Sequence, residues 1–162
     1  MTALCPPSLR RLALGLGMLA LASCSSLPES SASIARVKYY HLVADKPFVV
    51  NDQAIMAERA YHLHGAITKA ETLARSGNYY TVFWRARHEG KLKVVFEYRQ
   101  AKAGLKPRVK EVLIEKPEGS GVAKFEVIGD EYAQDGRVTA WRVSIVDEGG
   151  QELDFESSYL WD

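Results

Sequence analysis

The chain is predicted to fold as an antiparallel β-sandwich of about seven strands, and three observations carry that prediction. From residue 78 onward, short stretches rich in β-branched and aromatic residues follow one another at close spacing. Within them apolar and polar side chains alternate, the pattern of a sheet with one buried face. Between them stand Gly, Pro and Asp turn signals.

The elements follow in order. NYYTVFWRAR (78–87) is aromatic and β-branched, and Glu89-Gly90 turns the chain after it. KLKVVFEYRQ (91–100) puts Leu92, Val94, Phe96 and Tyr98 on one face, with Lys93, Glu97 and Arg99 on the other. RVKEVLIEK (108–116) ends at Pro117 and an EGSG turn. GVAKFEVIG (121–129) groups Ala123, Phe125 and Val127. Asp135-Gly136 reads as a tight turn. RVTAWRVSIV (137–146) sets Trp141, Val143 and Ile145 against Arg142 and Ser144, so Trp141 belongs to the core and Arg142 to the surface. After Gly149-Gly150, QELDFESSYLW (151–161) alternates Leu153, Phe155, Tyr159 and Trp161 with Glu152, Asp154 and Glu156.

Upstream the pattern is weaker. RVKYYHLV (36–43) suits an edge strand, and AYHLHGAIT (60–68) a seventh strand. Asn51 or Asp52 is placed to cap a short helix over NDQAIMAER (51–59), and KAETLARSG (69–77) reads as a helical turn or long loop. In Tyr39-Tyr40 and Tyr79-Tyr80, alternation places one ring of each pair in the core and one at the surface, where it suits either packing across strands or stacking on a sugar.

The N-terminus carries a different message. Arg10 and Arg11 are the only charges before residue 29, and LALGLGMLALA (12–22) has no polar side chain. That run is shorter than the about 17–25 apolar residues a membrane-spanning helix needs, so the layout is that of an export signal. Leu21-Ala22-Ser23-Cys24 resembles the lipobox of bacterial lipoproteins, over residues 1–24 only. The resemblance implies a diacylglycerol on the Cys24 thiol and cleavage just before Cys24. It also implies a periplasm-facing, lipid-anchored protein of the cell envelope. In lipoproteins of the proteobacterial type the residue after the cysteine sorts the protein, and Ser25 rather than Asp implies the outer membrane. The expected organisation is a signal peptide over 1–23, a Ser-rich anchored tether over 24–36 and a sandwich domain over 37–162.

Other classes of function are disfavoured. Cys5 falls in the expected signal, and Cys24 would carry lipid, leaving neither thiol chemistry nor a disulfide. Without the two arginines of 1–23, 19 bases face 20 acids, a net −1 that makes nucleic acid a poor partner. EGSGV (118–122) lacks the first Gly of a nucleophile elbow, and no phosphate loop or dinucleotide fingerprint occurs. No cofactor is expected.

The remaining candidates are polar clusters. His62 and His64 would share one face of a strand, as two imidazoles do in some metal sites. Glu58, Glu71, His41 and His88 are possible third ligands, but no spacing selects one. The basic stretch 99–110 and the acidic stretch 147–162 suit either a lipid or acidic partner or ordinary solvated surfaces. Asp130 and Glu131, if on a strand, would point apart, and a turn is the plainer reading. YYTVFW, EYRQA, FEVIGDEY and GRVTAWRVSI are similar to stretches of small bacterial lipoproteins with an immunoglobulin- or fibronectin-like sandwich. That likeness implies a fold and no activity. The expectation is a non-enzymatic binding or scaffolding module with a periplasmic protein or glycan partner. The alternatives are a metal-dependent periplasmic enzyme using His62 and His64, or a glycan- or peptidoglycan-binding module.

Overall fold

The computed structural model describes residues 31–44 and 51–161. Leu21, Ala22, Ser23 and Cys24, with the signal and the first part of the tether, lie outside the described residues. In chain order the elements are β1 (Ala32–Leu42), α1 (Gln53–Leu63), α2 (Lys69–Ala74), β2 (Gly77–Arg87), β3 (Leu92–Gln100) and β4 (Arg108–Ile114). They continue with β5 (Glu118–Ile128), α3 (Gly129–Asp135), β6 (Val138–Asp147) and β7 (Glu152–Ser157).

The seven strands form two antiparallel sheets, ordered β1-β2-β5 and β4-β3-β6-β7. If the strands are lettered A to G, A, B and E make one sheet and C, F and G belong to the other. This is the immunoglobulin-like division, with the fourth strand beside C instead of E. The core lies between the sheets. Val82, Val94, Phe96, Val127 and Val143 are each wholly excluded from solvent, and Phe96 stacks on Tyr98 and Phe125 at 5.0 and 5.1 Å. The period-2 reading of residues 92–98, 123–127 and 141–145 therefore gives the buried face correctly, although Trp141 is only half-buried at its edge. Gly121 faces Trp84 across the β2–β5 pair. A Cβ there would lie 2.2 Å from the indole ring, so only glycine fits.

Four expectations need correction. First, residues 60–68 are not a strand. Asp52 accepts hydrogen bonds from the Ala54 and Ile55 amides at 2.8 and 3.3 Å, and good helix formers carry α1 on through Leu63. The seventh strand is β1, which begins at Ala32, inside the stretch read as tether. Second, EGSG is not a turn, because β5 already pairs with β2 from Glu118. Third, Asp135-Gly136 is not a hairpin turn. Residues 129–135, including Asp130 and Glu131, are helical, and Gly136, at φ 77°, ends α3 by donating to the Tyr132 carbonyl at 2.8 Å.

The fourth correction concerns β7. Ile145 pairs with Asp154 and Val146 with Glu152, so Leu153 is an extra, bulged residue. A one-residue shift exchanges the faces of everything beyond it. Phe155 is therefore outside, 55% exposed, and Asp154 and Glu156 turn inward toward β1. There Asp154 accepts from the Ile34 amide at 2.7 Å, and Glu156 accepts from the Val37 amide. These carboxylates occupy edge amides of β1 that another strand would otherwise pair with.

Candidate functional site

The outer face of the β1-β2-β5 sheet is assembled by register. Successive rows across it are Tyr40–Tyr79–Glu126, Lys38–Thr81–Lys124, Arg36–Phe83–Val122 and Ser33–Arg85–Ser120, with Arg87 opposite Glu118 beyond them. Five bases (Arg36, Lys38, Arg85, Arg87, Lys124) share this face with two acids (Glu118, Glu126).

The face has two ends. At one, α1 covers the sheet. His62 stacks on Tyr79 at 3.8 Å and on Tyr40 at 5.2 Å, and its Nε2 lies 3.2 Å from Glu58. Glu58 also takes Lys38 at 2.5 Å, and Lys124 donates to the Tyr61 hydroxyl at 3.1 Å. Arg75, beyond α2, donates to the carbonyls of His62 and His64 and so ties down the end of α1. This cover explains why Tyr79 and Tyr80 are both buried, at 6% and 2% exposure, where alternation had predicted one inside and one outside. Burial pushes the Tyr79 hydroxyl up to about 12, and it stays protonated to donate to the Arg75 carbonyl at 2.6 Å.

At the other end the sheet is bare. A depression of about 950 Å³ is lined by Ser31, Ser33, Arg85, Arg87, Gly119 and Ser120. Arg85 and Arg87 are exposed, and among the described residues neither guanidinium has an ion pair or a side-chain hydrogen bond. Arg36 lies 4.6 Å over the Phe83 ring, which holds a third guanidinium beside this end. Planar guanidinium forks next to serine hydroxyls make a surface suited to oxyanions, phosphate and carboxylate above all.

The residues singled out from sequence fall elsewhere. His62 is on α1 and His64 is its C-cap, so the two imidazoles do not share a strand face. Glu71 closes a capping box with Thr68. His41 meets the Tyr132 hydroxyl at 2.7 Å, and His88 meets Ser31 at 3.0 Å. Among the described residues, no three His, Cys, Asp or Glu side chains are grouped to hold a metal ion.

The basic and acidic stretches do not meet as blocks. Arg108 and Lys110 turn to α3, with Lys110 2.8 Å from Glu131 and Arg108 2.5 Å from Asp135. Partial burial would raise the Glu131 carboxyl. Hydrogen bonds from Lys110 and Tyr98, with the charges of Lys110 and Arg108, outweigh it and hold the group below the ordinary carboxylate value. Arg99 binds the Trp161 carbonyl at 2.8 Å and lies over its ring, so that link does join the two stretches. Glu152 pairs with Arg142 within the four-stranded sheet.

The arginine end was missed in the sequence, although one signal for it was present. In FWRAR, Phe83, Arg85 and Arg87 alternate with Trp84 and Ala86, so both arginines had to point away from the core. Nothing local linked them to Arg36, Ser33 or Ser120. Comparison of the chain with family models, curated proteins and solved structures finds no match.

Proposed function

We propose that the protein is a lipid-anchored, periplasm-facing lipoprotein of the cell envelope, at the outer membrane by the Ser25 sorting position, whose sandwich binds or scaffolds rather than catalyses. The observation that carries this reading is Leu21-Ala22-Ser23-Cys24 after a basic start and a short apolar run. The thiolate at Cys24 is the nucleophile that takes the lipid, and two or more acyl chains hold a protein stably, each buried CH₂ contributing about 0.8 kcal/mol.

The geometry of the arginine end suits binding an anion. The hollow at the arginine end is shallow and open to solvent, and arginine and serine donors line it. The test is metabolic labelling with an alkynyl fatty acid, followed by detergent phase partitioning. Label on the parent, none on Cys24→Ala, and movement of the variant to the aqueous phase are expected. A labelled Cys24→Ala, or a parent without label, overturns the anchor.

A further inference from the structure

We propose that the bare arginine end of the β1-β2-β5 face docks on the anionic phospholipid headgroups of the membrane that holds the anchor, so that the domain lies on the bilayer by that face. This rests on the lipid-anchor reading above.

Three observations on this face point the same way. Arg85 and Arg87 are exposed and make no ion pair among the described residues, with Arg36 held beside them over Phe83; these three guanidiniums against the one nearby acid, Glu118, leave the local charge positive although the mature chain is not. Ser33 and Ser120 add hydroxyl donors within the same hollow, and donors of this kind match phosphate oxygens. The chain also enters the domain here, since Ser31 lines the hollow. Ser31 is seven chain steps from Cys24, a span of at most about 25 Å fully extended, so an anchored domain is kept close to the headgroups.

Proximity matters to the energetics. An anchor turns docking into an intramolecular step at high effective concentration, and weak charge attraction then suffices. A hollow this open offers little enclosure for a small free ligand, but it suits a broad charged surface. Glu118, opposite Arg87, is the acid on this face nearest the hollow, and it is exposed to solvent.

The test uses the acylated full chain with Val122→Cys, an exposed position on the same face beside the hollow, carrying an environment-sensitive fluorophore. The protein is placed on vesicles of phosphatidylcholine alone or of phosphatidylethanolamine with phosphatidylglycerol. Attachment to the neutral vesicles reads the anchor. Shielding of the probe from an aqueous quencher reads docking. We expect shielding on the anionic vesicles only, released by salt. With about a fivefold contribution per arginine near an anionic surface, Arg85→Gln/Arg87→Gln should lower the docked-to-undocked ratio about 25-fold while attachment is kept. Equal shielding on both vesicle types, or no change in the double variant, overturns the proposal. So does protection by dissolved inorganic phosphate or by an acidic glycan without protection by anionic vesicles, which would make the hollow a site for a soluble anion. Loss of attachment to neutral vesicles counts against the anchor reading instead, and with it against the docking that depends on it.

Discussion

On the outer face of the four-stranded sheet, strand cations lie beside carboxylates: Lys93 is 3.3 Å from Glu111, and Arg142 is 3.5 Å from Glu97 and 2.7 Å from Glu152. On the outer face of the three-stranded sheet, Arg85 and Arg87 make no such ion pair among the described residues, and the opposite end lies under α1. Both faces alternate away from one core. They differ in cross-strand neighbours: Glu97 stands opposite Arg142 and pairs with it, whereas Arg85 stands between Ser33 and Ser120, and Arg87, with Glu118 opposite, makes no ion pair with it. Cross-strand pairs are the unit of sheet stabilisation, so the first face contributes to stability and the second keeps its charge available.

The largest test of this contrast removes the cover from one face. Tyr79 is buried beneath α1, whereas Val95, on the other outer face, is only half-buried. Tyr79→Ala should cost about 3–5 kcal/mol, the range for truncating a buried aromatic, and Val95→Ala much less. Urea melts would compare them, and similar losses would mean that α1 does not cover the sheet in the way described.

Trp141 and Arg142 are the next pair. Trp141 packs on the core and meets the Tyr80 ring edge-on at 5.8 Å, so Trp141→Ala should cost about 3 kcal/mol, the low end because the ring is half-buried. Arg142 is not a free surface residue. It joins two carboxylates and lies 4.6 Å over Phe155, and Arg142→Ala should cost about 1 kcal/mol. Equal losses in the two variants would undo the register of β6.

Glu131 supplies a pH test. Its folded carboxyl lies below the ordinary value of 4.5, so its contribution is present above that value and is lost as pH falls through the folded one. Glu131→Gln should destabilise by about 1 kcal/mol at neutral pH, because solvent reaches the carboxylate, and the gap to the parent should close in acid. A gap that does not change with pH would show that the carboxylate's charge is not what fixes α3.

The smallest effect separates the two faces most directly. Arg85→Gln/Arg87→Gln should leave stability within about 0.5 kcal/mol or raise it slightly, since like charges are relieved. Arg142→Gln, the same change on the other face, should lower it. If the double variant were the more damaging, the arginine end would be structural.

Much of the fold was legible before any coordinates. The alternation in residues 92–98, 123–127 and 141–145 fixes which side chains meet, because a strand has only two faces and apolar groups gain by leaving water. A helix cap at Asn51 or Asp52 was equally readable, since an N-cap is a local bond, and Asp52 is the residue that makes it. The failures have local causes too. Residues 60–63 satisfy both a two-residue and a 3.6-residue pattern, and the cap upstream decided for helix. In β7 an inserted Leu153 reversed the faces of Asp154, Phe155 and Glu156, and a bulge leaves no trace in composition.

The arginine end belongs to the tertiary structure. By itself the sequence determined that Arg85 and Arg87 face away from the core. Only pairing brings Arg36 and Ser33 from β1, and Ser120 from β5, beside them. Alternation is a property of one strand and can be read along it. Register is set between strands by the packing of both buried faces, and that packing decides which distant residues become neighbours.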